Sequence, residues 1–499
     1  MSQPMQPQQI RNIGSYGAVR EASVDYSLAP EGSVPDVQNF HFDRIGAATV
    51  RPGMATLGAT VAAGYPIWGL HNSQNGSMFA AISQGGSMRV YAFPSGLSWT
   101  SSLTGGSANI KVRFLEAGGR TVVLNFGNSS NMYSSIQFLT TSNTWVTTGN
   151  PINPQALTDD VAGSVQPQFG EVYKSRIYVA GGNTNGNNIA SSRLHFSEVI
   201  NSSGNFLWVP GTNFVDINPN DGENITGLKR FSLELLVFKP NYIYRFKTAG
   251  VDPDPLIKIG TRSHESIVEG KRGLYFHHDT GFYKYTGGYP QEISRPISDV
   301  VDSIPFGQYD DIASWKDQDH IYFAVGTVAV SETNGTMTIK NAVARYTESS
   351  EVWTVYSHGQ NPSIGSDYNS GSALSRVVGL TNGVVATYNS GTTDLGEPIS
   401  YRIRTKWYEF EGIAAQKIIQ EMTAICEKAM GSQLAYRVDE DVTFKPIGNL
   451  NDLVNLYNKL SIRYHRIQFQ LHGVSRGEAP IFRGVELIKG INEGIIANV

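Results

Sequence analysis

The stretch GLYFHHDTGFYKYTGG, residues 273–288, sets His277, His278 and Asp279 side by side. Two imidazoles and a carboxylate are the donors of a metal site, or of a general base held by an acid partner. The flanking runs LYFHH and FYKY read as short strands, however. Asp279-Thr280-Gly281 supplies the early Asp and left-handed Gly of a three-residue hairpin loop with a bulge. Neighbouring side chains on a strand point to opposite faces. His277 and His278 therefore cannot both turn toward one ion, and a hairpin is expected here rather than a metal centre.

Other stretches invite chemistry in the same way. DINPNDGEN (216–224) has the look of a calcium loop, but an EF-hand needs Gly at its sixth position and a carboxylate at its twelfth. Counted from Asp216 those places hold Asp221 and Gly227, so a turn is expected, with a nonstandard ion site as the alternative. SHES (263–266) lines up hydroxyl, imidazole and carboxylate. Read as a strand, it puts Ser263 and Glu265 on a face that His264 avoids, which does not build a triad. A carboxylate pair for glycoside hydrolysis needs a separation of about 5 to 10 Å, which no linear sequence displays. GLKR (227–230) and EGKRG (269–273) carry tight basic pairs, read as solvated turns with phosphate contact as the minor alternative. No catalytic residue, cofactor-binding residue or metal ligand is assigned, no cofactor is implied, and the chain is expected not to be an enzyme.

The elements that would position such residues are short strands. The chain has 499 residues, long for one core, so several domains or one closed repeat array is expected. Charged residues make up 16%, against roughly 25% in a typical domain. Glycine is abundant, and Ser, Thr and Asn crowd the gaps between short apolar runs, a mixture of strands and turns rather than helices. Net charge is -4, with 39 Lys+Arg against 43 Asp+Glu and no Lys before Lys111. Tight DNA binding draws on clustered Lys and Arg, and the overall composition carries no such signature. The single cysteine, Cys426, excludes an internal disulfide framework and a Cys-rich zinc site. The start, MSQPMQPQQIRNIG, lacks the apolar core of a signal peptide, and no apolar run approaches the roughly 18 residues of a membrane span. A soluble protein made in a cytosol is the expectation.

Residues 1–54 read as an extended N-terminal arm that wraps or docks on something else, because 28–53 holds three prolines and little periodicity. Residues 55–400 read as a β-propeller. Trp99, Trp145, Trp208 and Trp353 each lie on a short strand followed by a turn, at intervals compatible with units of roughly 40–50 residues, the signature of four-stranded blades. Strand pairs such as RTVVLNF and SIQFL, or SRIYVAGG and RLHFSEV, fill successive units. IYVAGG resembles a kelch strand with its double glycine. About seven blades, or six, are expected, the last (SRVVGLTNGVVATYN) being the weakest. Residues 401–499 read as a C-terminal β-sandwich-like domain: RYHRIQFQLHG (463–473) alternates cleanly, whereas QKIIQEMTAICEKAM (416–430) fits a helix or a strand. The whole is all-β.

The runs GENITGLKRFSLELLVFKPNYIYRF and IGTRSHESIVEGKRGLYFHHDTGFYKYTGGYPQEIS resemble the propeller region of head–tail junction proteins of tailed bacteriophages. The arm LAPEGSVPDVQNFHFDRIGAATVRPG, with Asn39 and the RPG at 51–53, resembles the approach to that family's first blade, and RYHRIQFQLHG with APIFRGVELI is similar to its closing sandwich. The resemblance, to the tail nozzle or packaged-DNA stabilisation family, implies a structural virion component that continues the DNA channel and helps retain packaged DNA. It implies a homo-oligomeric ring, a hexamer, next to portal or adaptor rings and tail fibre or plug proteins, in transient non-specific contact with DNA and without a membrane span. It places the protein in the virion after synthesis in the host cytoplasm. The balanced charge suits a wall along which DNA slides. The alternative of a different class is a glycan-binding or glycan-cleaving propeller of a tail fibre.

Overall fold

The computed structural model describes residues 3–4, 8–11, 34, 36–44, 47–74, 76–93, 98–107, 111–125, 137–139, 145–146, 158–159, 163–164, 167–181, 191–201, 206, 212–219, 221–246, 254–332, 335–371, 373–410, 413–451, 453–475 and 477–494. Trp208 lies outside them.

The fold is all-β and propeller-like. Antiparallel four-stranded sheets follow one another along the chain, each with its strands in sequence order. The first is Ile67–Asn72, Met78–Gln84, Ser87–Phe93 and Thr100–Ser107. The second is Arg113–Ala117, Arg120–Leu124, Gln137–Leu139 and Trp145–Val146, and the third Phe169–Tyr173, Arg176–Ala180, Arg193–Phe196 and Phe214–Asp216. The fourth is Gly227–Phe231, Glu234–Phe238, Ile243–Phe246 and Asp254–Ile257, and the fifth Val268–Glu269, Leu274–His278, Gly281–Tyr285 and Gln291–Glu292. The sixth is Ala313–Asp317, His320–Glu332, Gly335–Thr347 and Val352–Tyr356. The seventh takes Pro362–Asn369, Leu374–Leu380 and Val385–Tyr388, and its fourth strand is Met54–Thr56, with Tyr388 opposite Met54.

Aromatic pairs join the sheets face to face. Phe238 meets Phe276 at 5.4 Å between the fourth and fifth sheets. Phe282 stacks on Phe323 at 4.3 Å between the fifth and sixth, and Trp315 meets Tyr388 edge-on at 5.0 Å between the sixth and seventh. Each such pair contributes about 0.5–1.5 kcal/mol beyond its buried area. The seventh sheet returns to the first, where Ser363 Oγ donates to the Ile67 carbonyl at 2.7 Å. Glycine permits the close approach: a Cβ on Gly365 would meet the Trp315 side chain at 2.5 Å. Central strands are buried on both faces, which is why Leu274–His278 shows no exposed position.

In the stretch expected to be an extended arm docking on something else, the described strands are built into the chain's own sheets. Strand Asp36–Gln38 runs parallel to the outer strand of the sixth sheet (Gln38 opposite Val355) and antiparallel to Ser400–Arg404, so one nine-stranded sheet passes from the propeller-like part into the C-terminal residues. Ala47–Val50 pairs with the long strand Ile481–Gly494, which also pairs with Gln8–Arg11. The ambiguous segment resolves as a strand, Gln416–Glu427. A common apolar cluster includes Val34, Val37 and Phe40 with Tyr401, Leu434, Ile467 and Phe469. Deleting residues before Arg51 therefore removes core, not a detachable arm. No helix among the described residues is long and apolar enough to cross a membrane.

Candidate functional site

The turn that leads into the fifth sheet touches the first strands of the second, third and sixth sheets. His264–Ser266 is one 3₁₀ turn, not the strand expected from SHES. Ser263 Oγ donates to the Ile312 carbonyl at 2.7 Å, and Ser314 Oγ donates to the Glu265 carbonyl at 2.9 Å, tying the turn to the sixth sheet. The Glu265 carboxylate meets Arg113 Nε of the second sheet at 2.7 Å, and Lys111 Nζ stands 3.8 Å away. The Arg113 guanidinium lies over the Phe169 ring of the third sheet at 4.5 Å, and His264 packs 5.4 Å from that ring. Burial alone raises the Glu265 pKa, but the Arg113 and Lys111 charges outweigh it and hold the carboxyl well below the usual range. Ser263 Oγ is 3.4 Å from Glu265 Oε2, while His264 is turned to the aromatic ring, so the three types do not assemble as a triad.

A second cluster forms where the segment before the first sheet meets the sixth and seventh sheets. The buried Arg51 guanidinium makes a bidentate pair with Asp394, 2.9 and 2.5 Å, across 343 positions of sequence. It also donates to Asn39 Oδ1 (2.8 Å), the Pro52 carbonyl (2.9 Å) and the Ser357 carbonyl (2.7 Å), so all five N–H groups are used. Asn39 adopts a φ of 62°, which Asn tolerates better than most residues. Its amide donates to Ser357 Oγ and the Ser400 carbonyl. His358 bridges Asp394 Oδ2 (3.3 Å) and the Tyr388 hydroxyl (3.2 Å). Burial, reinforced by the Arg51 charge, lowers the His358 pKa to about 4. The sequence pointed to Asn39 and the RPG only through resemblance. Asp394 carried no local signal, because Arg51 stands 343 positions away, and neither did His358, whose partners Tyr388 and Asp394 lie 30 and 36 positions on.

The remaining candidates have structural partners. His277 and His278 lie on opposite faces of one strand, as read. The loop has two residues rather than three, since His278 pairs with Gly281. His277 packs against Phe282 and Tyr309, and His278 against Tyr283. Among the described residues no three His, Cys, Asp or Glu side chains gather as metal ligands. In the calcium-like loop an ammonium takes the place of an ion: Lys239 Nζ, fully buried, lies 2.8 Å from both Asp221 carboxylate oxygens, 3.1 Å from the Asn218 carbonyl and 3.2 Å from Ser192 Oγ. Desolvation lowers its pKa, opposed by the hydrogen bond and charge of Asp221. Lys239→Met should cost about 3 kcal/mol by leaving Asp221 unpaired, read as a lower denaturant midpoint at unchanged slope. At EGKRG the backbone N–H groups of Lys271 and Arg272 bind the buried Glu348 carboxylate at 3.0 and 2.9 Å, joining the fifth sheet to the sixth. At GLKR, Lys229 stands 3.8 Å from Glu171. Gly181 of IYVAGG has a φ of 138° and follows strand Arg176–Ala180; its second glycine lies outside the described residues.

No protein family and no curated protein matches the sequence. Solved structures similar to the chain include virginiamycin B lyase from Staphylococcus aureus, at 13% identity over 68% of this chain and 98% of that one, with a TM-score of 0.42. A catalytically inactive form of that enzyme with Quinupristin aligns at 15% identity, 67% and 97% coverage and TM-score 0.44. The extracellular domain of a hybrid two component system from B. thetaiotaomicron aligns at 9% identity, 87% and 60% coverage and TM-score 0.43. The expectation that the chain is not an enzyme is corrected here: the similar structures include an enzyme.

Proposed function

We propose that the chain is a structural component of a bacteriophage tail or head–tail junction, a nozzle ring that continues the DNA channel and helps retain packaged DNA. In this reading the seven sheets are blades of one closed wheel, and residues 401–499 form a β-sandwich with the strands of 36–50. Copies of the chain assemble side by side in a hexamer against a portal or adaptor ring. The observation that carries the reading is an unprotected sheet edge. Strand Leu453–Tyr457 ends its sheet among the described residues, pairing with Gln416–Glu427 alone. It exposes Leu453 at 66%, Val454 at 63% and Leu456 at 53%, on both of its faces. A bare apolar edge is a liability in a lone protein and a natural seam between copies. The fully partnered buried charges of Arg51, Asp394 and Lys239 suit a part that must hold its shape under load.

Mass photometry and negative-stain images of the purified protein, alone and with portal-bearing particles, test this. Closed rings that stack beneath the portal are expected. The substitution Leu456→Lys should reduce them to single copies with an unchanged denaturant midpoint. A wild-type protein that stays single at micromolar concentration and does not join the particles would refute the proposal.

A further inference from the structure

The charge of this chain is nearly balanced overall, yet two arginines stand side by side on one sheet face. On the nine-stranded sheet, cross-strand partners share a face. Arg402 stands opposite His472 and Gln38, and Arg404 opposite Gln470 and Asp36. The other face of the same strands carries Tyr401, Ile403, Phe469 and Leu471, all buried in the core. The polar face borders a groove of about 390 Å³ lined by Gln38, Arg402, Arg404, Gln470 and His472. That volume is within the range of small-ligand sites, about 300–1,000 Å³. A second cleft of about 370 Å³ shares Gln38 and Ser400 with it and adds Lys340 and Glu397 to its walls.

Two guanidiniums and an imidazole line the groove. Arg402 Nε and Arg404 Nη1 both use one carboxylate, the buried Asp36, at 2.9 and 3.3 Å. Arg404 Nε donates to Gln470 Oε1 at 2.7 Å, and the Gln470 amide lies 3.3 Å from His472 Nδ1. Met337, from the long hairpin of the sixth sheet, contacts Arg402 at the groove wall. Among the described residues, Asp36 is a carboxylate that both guanidiniums reach. The His472 pKa is lowered by burial first, and then by the charges of both arginines beside it.

We propose that this groove binds a phosphate group, held by the Arg402 and Arg404 guanidiniums with His472 as a third donor. Guanidinium groups present paired N–H donors that match phosphate oxygens. The proposal stands on the groove alone and does not depend on ring assembly. Two sources share this chemistry, a free phosphate and the backbone of a nucleic acid. Titration calorimetry of the full chain at low salt, with inorganic phosphate and separately with a 12-base-pair duplex, tells them apart. Saturable binding of phosphate alone assigns a small-anion site. Duplex binding that phosphate displaces assigns the backbone. Both support the proposal. The ring resonances of His472 should titrate at higher pH in the bound state. Arg402→Gln should weaken binding at least about tenfold. His472→Gln, at a half-exposed position, gives a smaller loss in the same direction and serves if Arg402→Gln does not fold. Absence of binding by both probes, or binding unchanged in both variants, overturns the proposal.

Discussion

Replacing Arg51 with methionine should lower stability by about 4 kcal/mol at neutral pH, read from denaturant midpoints followed by tryptophan fluorescence. The loss comes from what stays behind. Asp394 remains buried without its bidentate partner, and the carbonyls of Pro52 and Ser357 and the Asn39 side chain each lose a donor. The cost of an orphaned buried charge exceeds the net value of the pair that it formed. The double variant Arg51→Met/Asp394→Asn should therefore lose less than the sum of the two single changes, by about 1–3 kcal/mol. Additive losses would show that the two groups are not coupled. Removing Arg51 also removes a charge that helps keep His358 neutral, leaving it beside Asp394. Protonated His358 can then neutralise Asp394, so the penalty of Arg51→Met should shrink as pH falls below about 6, whereas a purely steric defect would not respond to pH.

Acid should destabilise the wild-type protein well before its carboxylates titrate. Burial lowers His277 to about 3, and burial with the Arg51 charge lowers His358 to about 4. Both side chains are shielded from solvent in the folded chain. Unfolded, each titrates near 6.5. The folded values lie below the unfolded ones, so the unfolded state takes up protons first. The stability is complete above about pH 6.5 and is lost as pH falls toward the folded values. Between pH 7 and pH 5 the two imidazoles together should remove about 4 kcal/mol. Glu265 and Asp394, whose folded pKa values are depressed, extend the loss to lower pH, below the unfolded carboxylate range of about 4. Midpoints measured at half-unit steps test this. His277→Phe should flatten the slope by about a third between pH 6 and 5, since His264, which burial also lowers to about 3, shares the response with His277 and His358. A slope equal to that of the wild type would assign the acid response elsewhere.

The all-β character was legible because it rests on local signals: short apolar runs, glycine-rich turns and the Trp residues, of which Trp145 and Trp353 lie on the fourth strands of their sheets. The seventh unit read as weak for a physical reason. Only three of its strands are consecutive, and the fourth, Met54–Thr56, belongs to a distant segment that straddles the boundary drawn between arm and propeller. Chemistry between remote residues was not legible. Nothing near Asp394 announces Arg51, and nothing near Glu265 announces Arg113, because these pairs exist only once sheets far apart in sequence converge. The calcium-like loop shows the same limit. Its carboxylate was visible, but the cation that fills it is carried on Lys239, in the turn after another sheet's second strand.

The strand pairing has a consequence for biosynthesis. Met54–Thr56 has no strand partner until residues 386–388 have been made, and Ala47–Val50, paired early with Phe40–Arg44, lacks its second neighbour until Ile481 and Phe482 have been. A ribosome adding about 5–20 residues per second leaves these early segments solvated for tens of seconds while the intervening sheets collapse. Native closure is therefore a late event at release, and a product stopped short of residue 481 would carry an unsealed seam for chaperones and proteases to find.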